Sequence, residues 1–261
     1  MSTKLSPKDT LYVGILSTCV LLTVILALCV PGVAHAQLFG NNLMVNGNAE
    51  SGPGSTDGDT PPVPNAPAWT LTGTFLAVVY DIGPGWPLST DPGSPTRASN
   101  FFAGGPSTAN SSAAQSIDVS AGAADIDANK VSYNLSGWLG GYSSGDDNAR
   151  LTITFRDAGA NAIGTASIGP VTAADRSNVT GMFLRGTQGA VPVGTRTIDV
   201  VLLMTYAAGV YNDGYADDLS LILSRSSTAT AVPTVNEWGM IIFMIFAGLG
   251  SVYFLRRQRR A

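Results

Sequence analysis

Cysteine and histidine are almost missing from this chain. Cys19 and Cys29 both sit in an N-terminal apolar segment, and the single histidine, His35, follows it directly. If that segment is removed, neither residue type remains. That excludes a disulfide framework, a Cys or His nucleophile–base pair, a Ser–His–Asp triad and an ordinary zinc site. Charge is scarce as well, at 12% of residues, with three lysines and two glutamates, Glu50 and Glu237. Gly, Ser, Thr, Ala, Asn and Asp dominate instead. That composition disfavours long helices and suits strands joined by tight turns. Residues 37–231 hold sixteen acids and eight bases, a sharper imbalance than the whole-chain net of −4. A domain with eight excess negative charges has no electrostatic footprint for nucleic acid, so no nucleic-acid partner is expected. It does have oxygen ligands for a hard cation such as Ca²⁺.

Each end reads as an address. Lys4 and Lys8 precede an apolar run from Leu11 to Val30, broken by Pro31 and Gly32. Ala34 and Ala36 then supply small residues at the −3 and −1 positions of a cleavage site. Residues 1–36 thus have the plan of a secretory signal peptide, with an uncleaved anchor as the alternative because the run is long. Processing as a lipoprotein at Cys29 is disfavoured by the bulky Leu28 before it. At the other end, residues 240–255 are apolar and Arg256, Arg257, Arg259 and Arg260 follow. At about 1.5 Å per residue such a helix spans roughly 24–26 Å, short but sufficient with snorkelling arginines. The basic cluster predicts a cytoplasmic C-terminus and an exported domain.

Just before that run stand Val232, Pro233, Thr234, Val235, Asn236, Glu237, Trp238 and Gly239. Motif, apolar helix and basic tail, in that order over about 30 residues, resemble the IPTL-CTERM sorting signal of Gram-negative bacteria. Val232 and Val235 replace the usual Ile and Leu. The resemblance implies recognition by an exosortase-type membrane transpeptidase, then cleavage and transfer to the cell surface or extracellular matrix. A plain tail anchor with an interfacial Trp is the alternative. Residues 225–231 read as a polar linker, which leaves 37–224 as one ectodomain, ample for a real core and thin for two domains.

Within that ectodomain several stretches alternate with period two. Val131, Tyr133 and Leu135 point one way and Ser132, Asn134 and Ser136 the other. Leu151, Ile153 and Phe155 alternate with Thr152, Thr154 and Arg156, and Ile198, Val200, Leu202 and Met204 form one face of a longer strand. Further strands are expected over 43–46, 74–81, 98–103, 114–119, 162–168, 182–185 and 217–223. Turns are signalled at Asp157-Ala158-Gly159, at residues 145–148 and at Asn212-Asp213-Gly214. About ten short strands without a strong helix signal predict an all-β domain, a single antiparallel β-sandwich of jelly-roll type.

Asp217, by strand parity, shares a face with Leu219, Leu221 and Leu223. An acid on a core face is costly unless it is paired or ligates a metal. If the terminal strands lie side by side, Glu50 comes near Asp217. Two carboxylates with main-chain carbonyls then meet the oxygen demand of Ca²⁺. Alternatively Asp217 caps a turn or pairs with an Arg. The same residues carry a second resemblance, to carbohydrate-binding modules of the galactose-binding-domain-like superfamily. Asn42, Leu43, Asn46, Gly47 and Glu50 match their opening strand, with Asn48 inside it and Ala49 where an aromatic is common. Asp217, Asp218, Leu219 and Leu221 match their last strand, and Trp69-Thr70-Leu71 resembles the Trp that follows the first. The resemblance covers the edges of the domain and little of its middle. It implies a structural calcium on Glu50 and on Asp217 or Asp218, with Asn48 as a further candidate ligand.

Sugar binding wants exposed aromatics and planar polar groups. Trp86 in a Pro/Gly loop, Tyr142 next to Asp146 and Asp147, and Tyr211 beside Asn212 are the candidates; Trp138 lies on the polar parity of its strand. The sequence therefore predicts an exported, membrane-held surface protein of a Gram-negative bacterium that binds exopolysaccharide or matrix and is not an enzyme. A purely structural surface subunit is the alternative. A carboxylate-dependent glycosidase ranks below both, because the ectodomain's one glutamate is already claimed.

Overall fold

The structure, a computed structural model, describes residues 38–226 together with 241, 242, 244–249 and 256. The chain divides after Leu38 into two compact units, and everything described below belongs to the second. The expected signal peptide with Ala34 and Ala36, most of the linker, and the motif Val232–Gly239 lie outside the described residues. Residues 241, 242 and 244–249 are helical; the rest of the 240–255 span is not described. Among the described residues no helix is long and apolar enough to cross a membrane.

Among the described residues ten strands build two antiparallel five-stranded sheets. They are β1 (Thr70–Thr72), β2 (Leu76–Val79), β3 (Asn100–Gly105), β4 (Ser111–Asp118), β5 (Val131–Gly141), β6 (Asn148–Arg156), β7 (Ala162–Ile168), β8 (Gly181–Ala190), β9 (Thr197–Thr205) and β10 (Asn212–Arg225). One sheet has the order β1-β4-β9-β6-β7 and the other β2-β3-β10-β5-β8. Only β2–β3 and β6–β7 are neighbours both in sequence and in a sheet; every other connection crosses between the sheets. The all-β sandwich expected from alternation is therefore what the chain forms. The period-two patterns do the work: Leu135, Leu139, Leu151, Ile153, Ile198, Val200, Leu202 and Leu221 are all fully buried between the sheets. Each such side chain contributes roughly 1.5–3 kcal/mol through burial.

Four local expectations change. Residues 43–46 form a bend and turn instead of a strand; the opening segment meets β10 through isolated bridges at Phe39–Leu223 and Asn42–Ile222 and through a few single hydrogen bonds. A short strand, β1, and a one-turn helix, α1 (Ala123–Asp127), arise where no signal was read. Asn212-Asp213-Gly214 opens β10 instead of turning a hairpin, with a bulge before Tyr215.

The fourth change concerns Asp217. Asp217 stands opposite Trp138 on β5, whereas Leu221 stands opposite Leu135, with a register shift between Asp217 and Ser220. Trp138 and Leu135 are an odd number of residues apart, so they face opposite sides of the sheet. A bulge at Asp218 (φ +45°) therefore reverses the parity, and Asp217 does not share a face with Leu219, Leu221 and Leu223. It points to the outer face, where Leu76, Val78, Tyr80, Phe101, Met182 and Tyr215 form a second apolar cluster covered by Ile82, Trp86 and Trp138. This sheet is apolar on both faces over its β2–β3–β10 half, so a strict alternation reading fails there.

Candidate functional site

Two neighbouring features carry the chemistry: an acidic bulge in β10 and an aromatic cleft.

The bulge lies where β10 changes partners. β3 pairs with β10 at Asn212, Tyr215 and Ala216. Beyond it the opening segment takes over: Gly40 and Leu43 donate to the carbonyls of Leu223 and Leu221, and Leu219 N–H donates to the Gly47 carbonyl. Asn42 locks this contact, its Nδ2 donating to the Leu219 carbonyl and its Oδ1 accepting from Leu221 N–H. Gly47 is required by the close approach, since a Cβ there would stand 2.3 Å from the Leu219 carbonyl oxygen. Asn46, at φ +53°, binds Ser51 N–H and the Pro67 carbonyl, and its own carbonyl accepts the Trp69 indole N–H. The Asn-Leu-x-x-Asn-Gly-x-x-Glu pattern is thus the way this segment is seated beside the last strand.

That seating brings Glu50 towards the bulge. Glu50 Oε1 accepts from Ser99 N–H at 2.9 Å and Asn100 N–H at 2.6 Å, fixing the start of β3. Asp217, 1% exposed, accepts the Tyr80 hydroxyl on Oδ2 at 2.8 Å and Asp218 N–H on Oδ1 at 2.7 Å. Asp218 Oδ2 accepts the hydroxyls of Ser94 and Thr96. Burial pushes the Asp217 carboxyl up to about 7, with Asp218 and Glu50 adding repulsion against the Tyr80 hydrogen bond. Asp125, Asp127, Asp175 and Asp199 each pair with an arginine, but among the described residues no Arg or Lys pairs with Glu50, Asp217 or Asp218. The nearby Arg97 spends its donors on the carbonyls of Ser94, Leu88 and Asp91.

These are hard oxygen donors of the kind Ca²⁺ prefers, and Glu50 Oε2 and Asp218 Oδ1 accept no hydrogen bond among the described residues. Among the described residues no three Asp, Glu, His or Cys side chains form a metal-holding group by themselves. A cation here would draw the rest of its shell from carbonyls and water. Asn48 is exposed, with Oδ1 turned to Glu50 N–H at 3.4 Å. With Asp218, Asn42, Asn46 and Ser220 it lines a small open cleft of about 310 Å³.

The aromatic cleft, about 520 Å³, lies between the loop after β2 and the loops after β5 and β7. Trp86, Leu88, Pro84 and Asp91 line one side, and Tyr142, Ser143, Asn178 and Thr180 the other. Tyr142 is 37% exposed. Trp86 is held in place: its ring lies so close over Gly58 (φ +76°) that a Cβ there would stand 1.9 Å from it. Tyr211 meets that ring edge-on at 5.1 Å between centroids, and its hydroxyl donates to the Gly58 carbonyl at 2.7 Å. Tyr211 therefore stands behind Trp86 and does not line the cleft. Asp146 is exposed and does not line it either. The walls are tied together by Met182 N–H donating to the Pro92 carbonyl at 2.8 Å.

The sequence did not show what three polar residues around these two features do. Asp147, 3% exposed, accepts backbone N–H groups from Ala207, Ala208 and Asp213 and pins the β9–β10 turn. Asn100 binds the carbonyls of Ala49 and Gly52. Arg176 is buried beneath the Tyr142 side. No local signal marks any of them; their roles depend on segments that meet only in the fold.

No protein-family model matches the sequence, and no curated protein matches it. Solved structures share part of its chain path. One is the enzymatically active domain of tailspike protein 4 of bacteriophage CBA120, at 17% identity over 71% of this chain and TM-score 0.42. The match spans only 21% of the tailspike chain. A family 16 carbohydrate-binding module matches at 17% identity and TM-score 0.42 over 69% of this chain and 99% of its own. The CBM22-1 xylan-binding domain from Paenibacillus barcinonensis matches at 15% identity and TM-score 0.35, over 61% and 88%. At these TM-scores none of the likenesses bears on what this chain binds.

Proposed function

We propose that this protein is a non-catalytic carbohydrate-binding module, exported and held at the surface of a Gram-negative cell or its matrix by an exosortase-read sorting signal. The observation that carries the binding part is the cleft itself. It pairs a fixed indole, Trp86, with a partly exposed phenol, Tyr142, and surrounds them with Asp91, Ser143, Asn178 and Thr180. Aromatic faces stack on sugar rings, and the polar groups read hydroxyls. The cleft lining holds one carboxylate, Asp91, and its Oδ2 accepts Leu88 N–H at 2.8 Å. Glycoside hydrolysis needs two carboxylates across the bond, which supports binding over turnover. Titration of the producing organism's exopolysaccharide into the protein tests the reading; heat of binding that vanishes in Trp86→Ala supports it.

The same reading includes a structural Ca²⁺ held by Glu50 and by Asp217 or Asp218. Its support is three acids on adjoining segments with no arginine or lysine partner, and a buried Asp217 whose pKa is raised to about 7. A bound dication neutralises that charge and staples the opening segment to β10 in a domain without disulfides. Export and sorting rest on the two addresses in the sequence. Cleavage at the sorting motif, checked by mass spectrometry of the surface-released form with and without Pro233→Ala, tests that part.

One observation favours a purely structural subunit as the second reading. β7 is an edge strand with no charged residue, and β8 is the edge of the other sheet. Unprotected edges can extend into a neighbouring copy. Concentration-dependent sedimentation of a protein that ignores every glycan would decide for it.

A further inference from the structure

We propose that Arg176 is the positioning residue that makes the Tyr142 side of the cleft a single rigid wall, and that ligand affinity depends on it. The inference rests on the carbohydrate-binding reading above for its ligand and on Arg176's own contacts for its mechanism.

Arg176 is 1% exposed, yet forms no ion pair among the described residues. Its guanidinium is spent on main-chain carbonyls from two loops. Nη1 donates to Ser143 at 2.8 Å and to Val179, and Nη2 donates to Gly145 at 2.9 Å. Ser143 lies in the β5–β6 loop and Val179 in the β7–β8 loop, and both line the cleft. The two loops have no strand pairing across this seam. Among the described residues their other hydrogen bond is Ser143 N–H donating to Thr180 Oγ1 at 3.1 Å. Both loops contain non-glycine residues at positive φ, Ser143 at +45°, Ser177 at +54° and Asn178 at +60°. Such conformations persist only when the surroundings hold them.

The residue is expensive for a mere filler. Nε is buried with no hydrogen-bond partner, and desolvation lowers the pKa of the guanidinium despite nearby Tyr215, Asp146 and Asp213. A buried, incompletely satisfied charge costs stability that an apolar side chain of similar size would not. Only a planar fork with several donors reaches three carbonyls on two segments at once; the single ammonium of lysine does not. Arg176 thus converts two irregular loops into one wall facing Trp86, and a preformed wall spares the ligand the cost of ordering it.

The test compares the wild-type protein with Arg176→Lys by hydrogen exchange and by titration with the producing organism's exopolysaccharide. Faster exchange at residues 143–145 and 179–180, with β5 and β10 still protected, together with a loss of affinity of about tenfold, is the expected result. Unchanged exchange in those loops overturns the inference, as does an unchanged affinity beside loosened loops. If Arg176→Lys fails to fold, Thr180→Val removes the second tie alone and is expected to loosen the same two loops. A wild-type protein that binds no glycan removes the carbohydrate reading, while the exchange comparison still decides whether Arg176 holds the wall.

Discussion

The hydroxyl of Tyr80 donates to Oδ2 of Asp217 across 137 positions of sequence, at 2.8 Å and out of solvent. That bond joins the end of β2, where the covering loop begins, to the bulge where β10 exchanges one partner for another. Tyr80→Phe leaves Oδ2 without its donor, while Oδ1 keeps the Asp218 N–H. A loss of about 1–3 kcal/mol in chemical denaturation is expected, the cost of an unsatisfied buried acceptor.

Asp217 also sets a pH dependence. Its folded pKa, about 7, stands above the ordinary value of 3.8, so the folded state holds a proton that the unfolded chain has released. The stability that Asp217 contributes is fully present below the unfolded value and is lost as pH rises from about 4 to 7, by a few kcal/mol at most. In EDTA the melting temperature should fall across that window. With calcium the carboxylate is held ionised, so the fall should flatten and the stabilisation by calcium should grow with pH. Melts that coincide with and without calcium at every pH would remove the metal from the account.

Gly47→Ala places a methyl group against the Leu219 carbonyl, a backbone atom that cannot swing away. The opening segment must lift from β10. Roughly 1–3 kcal/mol of destabilisation is expected, with faster exchange at Leu219 and Leu221, whose amides donate to that segment.

Asp147→Ala removes the acceptor of three backbone amides at the β9–β10 turn. The expected cost is about 2–4 kcal/mol, since hydrogen bonds to a charged group are stronger than neutral ones. A change within about half a kcal/mol would mean that water replaces the carboxylate there.

The sequence made the sandwich legible because most of its strands bury one face, as β6 and β9 do between Leu151 and Phe155 and between Ile198 and Met204. It misled at Asp217, because a one-residue bulge reverses side-chain parity and nothing local announces it beyond an Asp tolerant of positive φ. The opening motif was legible as a pattern, but Asn42, Asn46 and Gly47 turn out to serve the docking of two chain ends. Trp86 and Tyr142 were legible as aromatics among turn formers and meet in one cleft. Tyr211 sits behind Trp86, and Asp146 lies away from the cleft. Arg176, Asp147 and Asn100 were illegible, because each binds backbone groups of distant segments and such bonds have no spacing in sequence.

The most direct test is calorimetric titration of the protein with the producing organism's exopolysaccharide, in parallel for wild type, Trp86→Ala and Tyr142→Ala. Saturable binding by the wild type, weakened by about 1–3 kcal/mol in each variant at a temperature where all three proteins are folded, is the predicted result. Equal binding by all three proteins, or none by the wild type, would contradict a carbohydrate site between Trp86 and Tyr142.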